Sequence, residues 1–422
     1  MPHAAPPHQV KTFMSDPIVA IDVGTTKVCT LIAERNEESG RLRIIGMGVA
    51  PSRGLRKGVI VNAEQATAAI RESREKAEHL SGYMIDGAYV SVAGDHISSL
   101  NSKGVVSISH GGRGISADDV QRVIDSARAI AIPPNREVIH VIPRGYTLDG
   151  VDGVRDPVGM RGFRLEVEAH IVTAAMPSIH NLINCVEAAG VTVNDLVLEP
   201  LASGEAVLRA DEKDAGVVLA DIGGGTTDIA IFIDGSIWHS QVVPLGGWQF
   251  TNDLSVGLRA PFAVAEAIKI QYGTTLADQV ADEEQVDVDA FGENGQQSVP
   301  RRELAHILRA RAEEIFALIL KEVKRSGYDG LLPAGLVLTG GASSLTGLRE
   351  LGRETMGVPV RIGEPHDLEG LVDTVNCSAY ATGVGMLLWV LQNASLPTHS
   401  KEHESRGSIR RVADWVKNLF PL

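Results

Sequence analysis

Two short stretches of this chain carry residues suited to holding a polyanion. One opens at Ala20 and reads AIDVGTTKVCTLI; the other opens at Ala220 and reads ADIGGGTTDIAIF. In each, an apolar run reaches an aspartate, breaks into Gly and Thr, and resumes as an apolar run. A strand–turn–strand element of this composition exposes several backbone N–H groups, and glycine lets the main chain approach a phosphate closely. The hydroxyls of Thr25, Thr26, Thr226 and Thr227 add donors, and Lys27 adds positive charge. Asp22 and Asp221 end buried strands, where an unpaired carboxylate is costly, so they suit a divalent cation held through water. Asp228 reads instead as a group that steadies its own turn. A single turn of this kind is more often an ordinary glycine-rich turn than a ligand site. Two in equivalent contexts, on opposite halves of the chain, would face each other across a cleft and grip a polyphosphate from both sides.

The elements that must position these turns follow from the hydropathy pattern. From Ile18 the chain reads strand, Gly-Thr turn, strand, then a third strand in RLRIIGMGVA. AEQATAAIRESREKAEHL repeats its apolar positions at helical spacing, and GAYVSVAG closes the block as a strand. From about Asp95 to Thr173 polar β-like pieces, dense turn signals and one helix capped by Ser116 mark a small α+β insertion. VTVNDLVLEPLASGEAVL then runs from strand into helix, and the second hairpin block begins at Gly216. AVAEAIKIQYG is helical, the segment from Ala277 to Pro300 reads as a loop-rich edge, and RRELAHILRARAEEIFALILKEVKRSG is a long helix. GLVLTGGASSL is a strand, and YATGVGMLLWVLQNA is a buried core helix, short of the ~20 residues a membrane span needs.

Composition bounds the function. A chain of 422 residues is too long for one comfortable core, and 44% hydrophobic content with 44 glycines fits an α/β protein. Its 39 basic and 53 acidic residues leave a formal charge of −14, which argues against general nucleic-acid binding. Cys29, Cys185 and Cys377 lack metal or redox spacing and read as reduced, buried thiols of a cytosolic protein. The Pro- and His-rich start has no signal-peptide core, and Met14 is an alternative start. Residues 395–407 read as a flexible linker. After them, SIRRVADWVKNLF sets Ile409, Val412, Ala413, Val416, Leu419 and Phe420 within roughly a 120° arc, each residue turning ~100°. Trp415 borders that face, with Arg410, Arg411 and Lys417 beside it, a pattern that suits an anionic membrane surface.

The two turns resemble the phosphate loops of the superfamily of actin, the heat-shock chaperone ATPases and hexokinase: DVGTTK the first and DIGGGTTD the second. LEPLASGEAVL resembles its connecting helix and LTGGASSLTGL its adenosine loop. The resemblance implies ATP and Mg2+ as cofactors, bound by Gly24, Thr25, Thr26, Lys27, Gly223, Gly224, Gly225, Thr226 and Thr227. It places Gly340, Gly341, Ala342 and Ser343 beneath the base and ribose. Glu266 and Lys269 would close over the adenosine with Gly246 and Gly247 nearby. Glu199 and Asp221 would position the attacking water, with Asp22 and Asp221 near the metal.

REVIHVIPRGYTLDGVDGVRDPVGMRGFRLEVEAHIVTA and VPLGGWQFTNDLSVGLRAPFAVAEAIKIQYG closely resemble the bacterial cell-division family FtsA, and the likeness runs from about Ile18 to Gln392. It implies an α/β actin-like fold, with two duplicated RNase H-like domains around a nucleotide cleft. Subdomain 1A is expected over 16–94, 175–212 and 366–394, and the inserted subdomain 1C over 95–174. Subdomain 2A would take 213–249 and 327–365, and 2B would take 250–326. Residues 1–15 would be a disordered extension and 408–422 the membrane helix.

The family's role is to polymerise on the cytoplasmic face of the cell membrane at the division septum. There it anchors the tubulin-like FtsZ and recruits other divisome proteins, with slow ATP hydrolysis at most. Self-association would use 1C, where Gly159, Met160 and Arg161 read mainly as structural support. The FtsZ tail would dock on 2B, where Arg301 and Arg302 read mainly as a solvated helix face. The alternatives are a PilM-like pilus-assembly platform and a sugar or acid kinase of the same superfamily.

Overall fold

The computed structural model describes residues 17–108, 114–292 and 295–393. The first sheet opens with β1 (Ile18–Val23), β2 (Lys27–Arg35) and β3 (Leu42–Pro51). A two-residue hairpin, β4 (Leu55–Arg56) and β5 (Val59–Ile60), leads to α1 (Ala63–Ser81) and β6 (Gly87–Val92). Asn62 caps α1 by accepting the Gln65 N–H at 3.0 Å, and Gly82 ends it at φ 72°. The insertion holds β7 (Ile97–Ser107), α2 (Ala117–Arg128), β8 (Arg136–Leu148), β9 (Val151–Val154) and β10 (Arg164–Ala175). Ser116 caps α2 as expected: its hydroxyl accepts the Asp119 N–H and the Asp119 carboxylate accepts the Ser116 N–H.

The chain returns through α3 (Met176–Ala188) and β11 (Thr192–Leu198) into α4 (Glu199–Val207) and α5 (Ala210–Ala215). The second sheet is built from β12 (Val217–Ile222), β13 (Thr227–Ile233) and β14 (Ser236–Val243). Helices α6 (Gly247–Gly257) and α7 (Phe262–Tyr272), hairpin strands β15 (Gln285–Asp289) and β16 (Gln296–Pro300), and α8 (Arg301–Ser326) follow. Then come β17 (Leu336–Thr339), α9 (Leu348–Met356), β18 (Val360–Ile362), β19 (Leu368–Gly370), α10 (Val372–Val375) and α11 (Ala381–Asn393).

Sheet order exposes a duplication. The first sheet runs β11-β6-β1-β2-β3-β19 and the second β18-β17-β12-β13-β14. In both, the first three strands are antiparallel, and the strand on the other side of the first runs parallel to it. Between the sheets lie α4 and α11, in a core that joins Ala20 and Leu31 of one half to Leu219 and Phe232 of the other. The approach of these helices is set by glycine: a Cβ on Gly385 would fall 1.8 Å from the Ala202 carbonyl. The insertion is a separate four-stranded antiparallel sheet, β7-β10-β8-β9, with its own core under α2 around Val123, Leu165 and Val167.

Two expectations need revision or bounds. The segment from Ala277 to Pro300 is not merely loop-rich: it forms the β15–β16 hairpin, which buries Val286 and Val288 while Asp287 faces out. The linker, the basic tail and every residue assigned to a membrane face, Ile409 to Phe420, lie outside the described residues. Among the described residues no helix is long and apolar enough to cross a membrane.

Candidate functional site

Register shows the two hairpins to be the same device. Gly24 N–H donates to Lys27 O at 3.0 Å and Gly223 N–H to Thr226 O at 2.9 Å. Asp22 pairs across with Cys29, and Asp221 with Asp228. The counterpart of Lys27 is therefore Thr226, and that of Asp228 is Cys29. The loops touch across the cleft: a Cβ on Gly224 would lie 2.5 Å from Thr26 Cγ2, and one on Gly225 would lie 2.7 Å from Thr25 Oγ1.

Four carboxyl groups gather behind the loops: those of Asp22, Asp221 and Asp228 are buried, and Glu199 is partly buried. Burial raises the Asp22 carboxyl, against the opposing pull of Lys27 and Ser91. Glu199 is raised well above the usual range by burial, then by the charges of Asp228, Asp22 and Asp221. Burial lifts Asp221 to about 6, offset by hydrogen bonds from Ser203 and Thr382. Asp228 is raised by burial and by Asp221. Its Oδ2 accepts the Thr226 hydroxyl at 3.0 Å, which steadies the turn from within, and its Oδ1 is buried without a partner.

Ser91, a residue the sequence reading missed, ties the first acid pair together. Its hydroxyl accepts the Val23 N–H at 3.0 Å, donates to Asp22 at 3.0 Å and lies 3.4 Å from Glu199 Oε1. One hydroxyl carries one proton and two acceptor sites, so all three contacts close when Glu199 holds a proton and donates it. The donor set fits a cation beside bound phosphate: buried carboxylates raise one another's proton affinity, and a cation relieves that repulsion. Among the described residues no three His, Cys, Asp or Glu side chains converge as direct metal ligands, so Asp22 and Asp221 would hold Mg2+ through water.

The remaining expected residues gather around the same loops. Gly247 N–H donates to Gly223 O at 2.9 Å and Trp248 N–H to Gly224 O at 2.7 Å, seating the start of α6 on the second loop. A Cβ on Gly246 would fall 2.6 Å from Gly223 O. Lys269 pairs with Glu266 at 2.7 Å and donates to Thr251 Oγ1 at 2.8 Å, bracing α7 on α6. Gly340, at φ 84°, leaves no room for a Cβ, which would sit 2.3 Å from Asp221 Oδ1. Gly341 and Ala342 border Ala379 and Gly247.

Three of the expected hydroxyls are spent within the protein rather than offered to the cleft: Thr226 donates to Asp228, Ser343 to Gly340 O at 2.7 Å and Thr227 to Leu245 O at 2.8 Å. Lys27 donates to Ala379 O, with its Nζ 3.6 Å from the Tyr380 ring centre. The Ser378 carbonyl accepts the Gly340 N–H at 3.1 Å. This segment, missed in the sequence, thus joins the first Gly/Thr hairpin to the glycine turn at Gly340.

Elsewhere, Arg301 pairs with Glu284 at 2.6 Å, and Arg302 pairs with Asp282 and donates to Val280 O. Both are engaged within their own subdomain. Gly159 N–H donates to Ile115 O at 2.8 Å and Met160 O accepts from Ile115 N–H, which is backbone support; Arg161 is exposed.

A duplicated pair of sheets, closing facing Gly/Thr hairpins over buried acids, defines an actin-like ATPase fold. Solved structures agree. The PilM–PilN type IV pilus biogenesis complex matches with TM-score 0.64 at 15% identity, over 88% of this chain and 98% of that one. MreB5 of Spiroplasma citri bound to ADP matches with TM-score 0.54 at 14% identity, over 90% and 98%. The family model "Cell division protein FtsA" matches residues 218–385, and "SHS2 domain inserted in FTSA" matches residues 94–173. Cell division protein FtsA of Pseudomonas aeruginosa is 42% identical over 96% of this chain and 98% of its own length. That of Neisseria meningitidis serogroup B is 40% identical over 96% and 98%, and that of Bacillus subtilis 38% over 90% and 84%. The chain belongs to the cell division protein FtsA family, and its function is in cell division.

Proposed function

We propose that the cleft binds ATP with Mg2+ and that the bound nucleotide favours a polymerising form of the chain at the division site. The observation that carries this is the pair of facing hairpins, with their backbone donors in front and three buried aspartates and the partly buried Glu199 behind. When bound, Mg2+ offsets phosphate charge; Asp22 and Asp221 hold its waters and Lys27 adds a further cation. Glu199, in contact with Ser91, is poised beside these groups to orient a water, and hydrolysis is slow. Self-association runs through the insertion. The partner is FtsZ, whose tail docks on the subdomain spanning residues 250–326. The tail at 408–422 anchors the assembly to anionic lipid on the cytoplasmic face of the membrane. One such helix binds weakly after ordering costs, and a filament converts many weak anchors into avidity.

The pilus-platform reading has only a distant structural likeness behind it, against FtsA relatives at 38–42% identity. In the test, saturating ATP with Mg2+ raises the melting temperature of the full chain through linkage, and Asp221→Ala or Gly341→Glu removes that rise. Equal stabilisation of the variants would place the nucleotide elsewhere. Deleting residues 408–422 should abolish pelleting with anionic liposomes while ATP stabilisation persists; unchanged pelleting would sink the tail assignment.

A further inference from the structure

One strand of the insertion lies across both halves of the cleft. At one place on β8, His140 Nε2 accepts the backbone N–H of Leu198 at 3.1 Å. Leu198 is the N-cap residue of α4, so this bond holds the Val197–Leu198 peptide, one residue ahead of Glu199. The imidazole is buried, edge-on to Trp389 of α11 at 5.8 Å. Burial holds it well below its usual range, at about 4, so it is neutral and able to accept.

Further along β8, Ile142 packs against the cores on both sides of the first sheet. Arg144, its side chain 7% exposed, lies 4.0 Å over the Trp238 ring and donates to Tyr328 Oη at 3.3 Å. Both aromatics belong to the second half, Trp238 on β14 and Tyr328 after α8. The β8–β10 ladder skips a residue twice, at Ile139 and at Arg144, and such bulges re-aim side chains out of the sheet's alternation. Around Arg144 the seam is polar: Ser99 donates to Ser240 O at 2.8 Å, Ser236 donates to Pro143 O at 2.8 Å, and His170 Nε2 meets Ser240 Oγ at 2.9 Å.

Beyond these contacts β8 runs into the β9 hairpin, where Val151 is 65% exposed. A strand of 13 residues is about 40 Å long and stiff along its axis. Any rotation of the second half against the first must move Trp238 and Tyr328 relative to Leu198, and β8 is bonded to both.

We propose that β8 transmits the state of the cleft to the exposed β8–β9 hairpin of the insertion, with His140 the residue that positions Glu199 from the insertion side. The inference rests on the cleft reading above. The test is hydrogen–deuterium exchange of the full chain with and without ATP and Mg2+, in the parent, His140→Gln and His140→Leu. The expected result is slowed exchange at residues 22–27 and 221–228 and, in the same samples, at least a ~2-fold change at residues 146–154. His140→Gln keeps an acceptor and retains the distant response; His140→Leu loses it while the loops stay protected. A silent hairpin in the parent, with responsive loops, overturns the inference alone, as does a full response in His140→Leu. Silent loops overturn the cleft reading and the inference with it. If His140→Leu fails to fold, the parent and His140→Gln decide: loss of the response in a folded His140→Gln also overturns the positioning role.

Discussion

Asp221 and Asp228 face each other across β12 and β13, and both hold protons above the ordinary aspartate range. An unfolded Asp ionises near 3.8, and folded Asp221 near 6. Between those values the folded chain binds more protons than the unfolded one, so stability falls as pH rises through the window. Asp228 shifts in the same direction. Asn at 228 keeps an acceptor for the Thr226 hydroxyl and removes a buried carboxyl that must take up a proton when the chain folds near neutral pH. Without nucleotide, Asp228→Asn should gain on the order of 1–2 kcal/mol near neutral pH and flatten the decline in melting temperature from about pH 5 to about pH 8. Scanning fluorimetry across that range checks it; a variant less stable than the parent at neutral pH would show that the carboxylate stabilises the turn as an anion.

At the scale of elements, α4 and α11 set the spacing of the two halves. Ala at 385 gains about 1 kcal/mol of helix propensity over Gly, yet its methyl would overlap the Ala202 carbonyl at 1.8 Å. Backbone against backbone cannot yield by a rotamer change, so the helices must part. Overpacking of this kind costs about 1–3 kcal/mol and more where nothing can relax. Gly385→Ala should therefore lower the urea midpoint clearly, while Gly145→Ala, with nothing within 4 Å of the new methyl, should stay within about 0.5 kcal/mol. Equal midpoints would remove the helix contact as the spacer.

What the sequence revealed of these elements follows from range. Both hairpins, the start of α4 at Glu199 and the cap at Ser116 are local patterns of composition and period, and they were legible. Ser91 was not, because a serine at a strand end signals nothing until β6 lies beside β1. The carbonyl that accepts from Lys27 belongs to Ala379, 352 residues away. The β15–β16 hairpin hid because Val286 and Val288 give only two buried positions in an acidic stretch. Register was also hidden: only the strand pairing shows that Lys27 corresponds to Thr226 and Asp228 to Cys29.

For the whole molecule, contact between the phosphate loops sets what a ligand must do. An ideal Cβ at Gly225 lies 3.1 Å from Thr25 Cβ, a few tenths of an ångström short of the roughly 3.5–4.5 Å span of a disulfide, so a small relaxation of the loops suffices to bridge them. A phosphate group cannot occupy space that these side chains already fill, so a nucleotide gripped from both sides must separate the loops. A Thr25→Cys/Gly225→Cys pair, in a Cys377→Ser background to remove the partly exposed native thiol, should therefore cross-link readily without nucleotide. Saturating ATP with Mg2+ should slow that cross-linking at least ~10-fold, and the oxidised protein should lose the ATP-dependent rise in melting temperature that its reduced form retains. Rapid cross-linking in the presence of ATP that still stabilises the reduced protein would mean that the phosphates do not pass between the hairpins. Slowed cross-linking would make loop separation the step that β8 carries outward to the insertion.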